Sequence, residues 1–137
     1  MKIKIDKKRK SEAKKLEEKL DKLFSSYKRF LSGGYCKKCG KYFGYKKLHN
    51  AHFHSRRKHS VRWDISNSAP LCYGCHSYID GNPLGKIEFF LEILGKEEFE
   101  ALNVRAESLV KVDKEKIKSD FEEKLKEVQY ELCETSQ

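Results

Sequence analysis

Acidic residues are scarce in the first part of this chain. Residues 1–85 hold 21 Lys/Arg against seven Asp/Glu, whereas residues 86–137 hold nine against fourteen. The front is therefore +14 and the rear −5 within a total of +9. This imbalance suits a polyanion partner at the front, with the tail turned away. Long apolar runs are also missing. No stretch approaches the ~18 residues needed to span a membrane, so no membrane partner is expected. The opening "MKIKIDKKRK" lacks the apolar centre of a secretory signal. With only 38% hydrophobic residues against 37% charged, any core is small. No internal repeat is visible. Without an export signal the cysteines face a reducing cytosol, the host's cytoplasm if the chain is viral, where paired CxxC points to metal and not to disulfide.

Two such pairs are present, in "YCKKCGKYFG" (35–44) and "LCYGCH" (71–76). Two-residue spacing lets both sulfurs of a knuckle reach one ion ~2.3 Å away. Cys36, Cys39, Cys72 and Cys75 are expected to form a closed, structural zinc site, with Gly40 allowing the tight turn after the first knuckle. Cys133 stands outside this scheme. Thirty-two residues separate Cys39 from Cys72, and they contain four of the five histidines.

The fold class expected is α+β, mainly α: a small zinc-braced ββα-metal core flanked by N- and C-terminal helices. Three segments are read: a basic N-terminal helix over 1–34, the zinc-braced unit over 35–85, and a helical region over 86–137. Apolar spacing predicts a helix over 11–31 with a stripe from Leu16 through Leu20, Phe24 and Tyr27 to Leu31. "SGG" (32–34) ends it, "GNPLG" (81–85) is a turn, and helices follow over 86–95, stopped by Gly95, and 96–110. A long helix over 113–133, capped by Asp113, carries Ile117, Phe121, Leu125, Val128 and Leu132. The two outer stripes are expected to pack on each other or on a second subunit. A homodimer is expected, since symmetric cutting of two strands suits a twofold protein. Trp63 and Tyr73 are read as core residues.

The insertion offers His52 in "LHNAHFHSRR", Asn67 in "VRWDISNSAP" and His76 after the second knuckle. A His–Asn–His order inside a zinc frame is the pattern of an HNH nuclease. Phosphodiester hydrolysis needs a base to deprotonate water, and neutral imidazole serves near pH 7. It also needs a divalent cation to neutralise the phosphoryl and the leaving oxygen. His52 fits the base, His76 a helix-borne ligand, and Asn67 a side chain that holds the loop and the imidazole. His54 is placed on the strand face of His52. Arg56, Arg57, His59, Arg62, Lys46 and Lys47 are read as DNA backbone contacts, which require only charge and reach.

The segments "LHNAHFHSRR", "VRWDISNSAPLCYGCHSYIDGNP" and "FFLEILGKEEFEAL" together resemble the phage NinG (Rap) recombination proteins, over about residues 20–130 and most strongly over 36–90. The resemblance implies a DNA endonuclease acting on branched recombination intermediates. It places His52 as general base, Asn67 as the middle Asn and His76 at the helix position, with structural zinc and catalytic Mg²⁺ or Mn²⁺. Two departures stand out. Common HNH nucleases carry Asp before the base, where this chain has Ala51; His49, two residues earlier on the strand, is the substitute, acting directly or through water. NinG-like chains usually carry Asn where this chain has His76, which is closer to the general HNH pattern. Two other functions fit part of the pattern: a non-catalytic zinc-ribbon DNA-binding protein, and an HNH nickase acting on ordinary duplex.

Overall fold

The structure, a computed structural model, describes the backbone of residues 2–135 and the side chains of residues 11–129. Leu132 and Cys133 lie outside the described side chains. The fold is α+β, mainly α, as the patterning predicts. Helix α1 (Lys2–Leu31) leads into the first knuckle and a short turn of 3-10 helix (Tyr45–Lys47). Strands β1 (His49–His52) and β2 (Ser68–Leu71) form an antiparallel pair in which His49 faces Leu71 and His52 faces Ser68. Helix α2 (Tyr73–Asp80) starts at once from β2, so the centre is a ββα unit. Three further helices follow: α3 (Pro83–Leu94), α4 (Lys96–Ala106) and α5 (Lys114–Thr135). Among the described residues no helix is long and apolar enough to cross a membrane.

Local chemistry accounts for these boundaries. The turn read at 81–85 is instead the start of α3: Asn82 caps it by accepting from the Gly85 amide at 2.9 Å, and Pro83 takes the first turn, where its missing N–H costs nothing. Asp113 accepts from the Lys116 amide at 3.2 Å and opens α5, as its position predicts. Gly34 follows α1 with φ +91°. A Cβ built there would lie 2.7 Å from the Tyr42 ring, so only glycine lets the knuckle fold against the helix end.

Two cores meet at β1. One surrounds the cysteines: Leu48, Ala51, Ala69, Leu71, Ile79, Phe89 and Phe90 pack with Cys36 and Cys72. In the other, Leu20 and Phe24 of α1 pack with Trp63 and with Phe121 of α5. The two amphipathic stripes therefore pack on each other within one chain, through Leu20, Phe24 and Phe121. Trp63 is a core residue as read, only 5% exposed. Tyr73 is not. It is 72% exposed, because the N-terminal turn of α2 lifts it off the sheet.

Asp21 of α1 ties the long insertion down. It accepts from Arg62 Nε at 3.1 Å and Nη2 at 2.7 Å, and from Trp63 Nε1 at 2.9 Å. Burial opposes ionisation of its carboxyl, but the donors from Arg62 and Trp63 prevail and hold it below the usual carboxylate range. A second anchor lies on α4, where Arg105 spans Asp64 (2.7 Å) and Glu98 (2.6 Å).

Candidate metal centre and adjoining cleft

The four sulfurs of Cys36, Cys39, Cys72 and Cys75 lie within 4.8 Å of one another. A tetrahedral zinc site with ~2.3 Å bonds needs sulfurs about 3.8 Å apart, and Cys39 and Cys72 stand 4.0 Å apart. The knuckles present them by backbone geometry. Gly40, at φ +75°, closes the first turn by donating to the Cys36 carbonyl at 2.9 Å. Cys72 caps α2, and its sulfur accepts from the Cys75 amide at 3.5 Å. The Cys36 sulfur accepts from the Cys72 amide at 3.4 Å. Burial pushes the Cys36 thiol up, but backbone N–H groups aimed at it outweigh burial and bring it down to about 6. Burial and neighbouring sulfurs push Cys75 up to about 12, the opposite direction from Cys36. The cluster is a metal site whose donors and spacing suit zinc, and four protein ligands leave no open position for chemistry.

Beside this frame lies a cleft of about 730 Å³. One wall is α1, through Asp21, Lys22, Ser25, Ser26 and Arg29 at helical spacing. The floor is β1, through Asn50 and His52, and the far wall is α2, through His76 and Asp80. Strand alternation explains the floor: Asn50 and His52 share one face, while Ala51 points into the zinc-side core at 1% exposure.

His52 stands edge-on to Phe24, ring centres 5.7 Å apart. Its Nε2 lies 3.0 Å from the Arg62 carbonyl. A carbonyl only accepts, so Nε2 carries the proton and Nδ1 keeps the lone pair. Burial holds the imidazole below its ordinary pKa, and the nearby Arg56 charge adds to that, so it is neutral at pH 7.

His49 reaches past the end of the core to α2. Its Nδ1 lies 3.0 Å from Nδ1 of His76, and Asp80 Oδ2 lies 3.3 Å from the other His76 nitrogen. Two imidazoles thus turn the same atom toward one point, with a carboxylate orienting one of them from behind, an arrangement that recurs at metal-bound histidines. Among the described residues the four cysteines form the metal-ligating group of three or more; His49 and His76 are two donors with room for further ligands.

Asn67 is fully buried and clamps the segment after β1. Its Oδ1 accepts from the His54 amide at 2.8 Å and its Nδ2 donates to the His54 carbonyl at 3.1 Å. It holds the loop as read, without touching the His52 ring. His54 does not share the face of His52. It lies past the strand end, where the Asn67 clamp turns its ring toward α4, and Nε2 donates to Asn103 Oδ1 at 2.8 Å.

The cationic residues of the sequence reading fall in different places. Arg56 lines the cleft, 63% exposed, with one reach of 3.4 Å to Asp21. Arg57 and His59 line a neighbouring groove. Lys46 and Lys47 are exposed on the 3-10 turn. Arg62, read as a backbone contact, is only 13% exposed and committed to Asp21 and Glu17, so its charge is spent inside the protein. Seven cleft residues escaped the sequence reading: Asp21, Lys22, Ser25, Ser26, Arg29, Asn50 and Asp80. Asn50 sits two before His52 and Asp80 four after His76, both readable spacings. Asp21 and Arg29 join the cleft only because α1 packs across β1.

Compared with protein-family models, with curated proteins and with solved structures, the chain matches none.

Proposed function

We propose that the protein is a metal-dependent DNA endonuclease of the HNH type, hydrolysing phosphodiester bonds on branched recombination intermediates, as the resemblance to the NinG proteins suggests. The observation that carries this reading is that His52 and His76 line one cleft on a ββα unit whose base is the four-cysteine frame, with His49 Nδ1 3.0 Å from His76 Nδ1. His52 Nδ1 takes a proton from the attacking water, and the Arg62 carbonyl keeps the imidazole in the tautomer that leaves Nδ1 free. His49 and His76 would hold a divalent cation, Mg²⁺ or Mn²⁺, which when bound would supply Lewis-acid stabilisation of the phosphoryl and leaving oxygens. Asp80 orients His76 through Nε2. Asn50 lines the cleft, and its amide oxygen and nitrogen are buried without a protein partner. Asn67 fixes the end of the strand that carries the base. Arg56, Arg57, His59, Lys46 and Lys47 remain available for the DNA backbone.

The experiment is cleavage of supercoiled plasmid, linear duplex and four-way junction by zinc-loaded protein with added Mg²⁺ or Mn²⁺. His52→Ala should cut about 10²–10⁴-fold more slowly while binding DNA nearly as well. Junction cleavage well above duplex cleavage is expected. Equal rates on both would favour a duplex nickase. DNA binding with no cutting under any metal would favour a non-catalytic zinc protein.

A further inference from the structure

Arg29 lines two hollows at once. One is the cleft; the other, of about 170 Å³, is formed with Phe30, Gly33, Gly34, Tyr42 and Tyr45. Its guanidinium is held by two neutral acceptors, the Ser25 carbonyl at 3.2 Å and the Tyr45 carbonyl at 3.1 Å. Among the described residues no carboxylate lies within 4.0 Å of it, in contrast to Arg62 and Arg105, each paired with two. Arg29 is therefore an oriented cation with donors to spare and no internal counter-ion, at the junction of the two hollows.

The smaller hollow is walled by aromatic rings and bare backbone. Tyr42 is 66% exposed and Tyr45 39%, and Gly34 lets the Tyr42 ring lie against the backbone. The surrounding stretch from Tyr35 to Lys47 carries five lysines and no acid, all five exposed. Flat π-faces beside a row of cations match a nucleic-acid strand whose bases are not already stacked. A paired base, covered on both faces by its neighbours, cannot enter such a hollow without being extruded.

We propose that Arg29 and the Tyr42–Tyr45 hollow form a subsite for one unpaired nucleotide of a DNA strand lying in the cleft. Arg29 grips the phosphate and the tyrosines take the base. This rests on the nuclease reading for the identity of the strand, and it names the feature that strand must have next to the cut: an unstacked nucleotide.

The test is fluorescence anisotropy with labelled oligothymidylate, oligouridylate and a blunt duplex, using full-length zinc-loaded protein without added Mg²⁺. Tyr45→Leu should weaken oligothymidylate binding roughly 5- to 100-fold while duplex binding shifts by no more than about twofold, and Arg29→Gln, which removes a phosphate contact, should weaken oligothymidylate binding more than duplex binding. Tyr45→Phe, which keeps the flat ring, should bind as wild type. Zinc content and melting temperature confirm that each variant is folded. Unchanged oligothymidylate binding in folded variants, or equal loss on duplex and single strand, overturns the subsite. Tighter binding of oligouridylate than of oligothymidylate overturns its assignment to DNA. Cleavage is read separately: a protein that binds as expected yet cuts no DNA with Mg²⁺ keeps the subsite and loses the nuclease reading.

Discussion

The two cores that meet at β1 are built on different principles. Around the cysteines the strands contribute Ala51, Ala69 and Leu71, and the largest side chains, Phe89 and Phe90, come from α3. Between α1 and α5 the buried residues are Leu20, Phe24, Trp63 and Phe121, with Phe24 and Phe121 ring centres 5.4 Å apart. The first core includes two of four cysteines placed to bind one metal ion, whereas the second is closed by ordinary packing. The cleft lies on the seam: α1 supplies one wall, and the zinc-braced unit supplies the floor and the other. Its shape thus depends on both cores, and so does its lining: Asp21 and Arg29 come from α1, and Asn50, His52, His76 and Asp80 from the cysteine-centred unit.

Removing the metal should break that division most severely. Structural zinc supplies apparent folding free energy on the order of 10 kcal/mol or more, so strong chelation, or Cys36→Ser with Cys72→Ser, should unfold residues 35–80. The α1–α5 pair should keep part of its helical signal. Elemental analysis is expected to give about one zinc per chain; a folded, active protein without metal would remove the basis of the comparison.

Phe121→Ala attacks the other side. Deleting a buried phenylalanine costs about 3–5 kcal/mol, and the melting temperature should fall accordingly while zinc content stays at one. If zinc were lost together with the helix pair, the two cores would be one cooperative unit.

Asp80→Asn sharpens the comparison at the seam itself. Outer carboxylates on metal-bound histidines are commonly worth about 10–100-fold in metal affinity. Mn²⁺ binding measured by titration calorimetry should weaken within that range, with zinc content and melting temperature unchanged. Unaltered Mn²⁺ affinity would mean that Asp80 is a solvated helix residue.

The smallest expected effect is on pH dependence. Burial lowers the folded-state pKa of His52, so its contribution to stability is fully present above its ordinary pKa of about 6.5 and is lost as pH falls through the lower folded value. Asp21, also lowered in the folded state, acts in the same direction at more acid pH. Cleavage should therefore be flat through neutrality and decline only below pH 6.5, with zinc content followed alongside. In His52→Ala the stability profile should be flatter in that range. A cleavage decline centred above pH 6.5 would point to a base other than His52.

The local spacings carried the metal frame and most of the helices. Two-residue cysteine gaps, the periodic leucines and aromatics of α1 and α5, and the Asp113 cap are all short-range chemistry, and each appears in the fold. The ββα order around His52 and His76 could be read in the same way, because strand alternation and knuckle-to-helix continuity act over a few residues. Other features depend on pairings 20–100 residues apart, on which periodicity is silent. That α1 and α5 pack on each other within one chain was settled by tertiary contacts. So was the fate of Arg62: its charge looks free in sequence, but Asp21, 41 positions earlier, takes it inward. Arg29 shows the reverse. In sequence it is one cation among the twelve Lys/Arg of the first 31 residues. Crossing of α1 over the sheet places it without a counter-ion between the cleft and the tyrosine hollow. A charge's availability is decided by its neighbours in space, and only the tertiary structure specifies those.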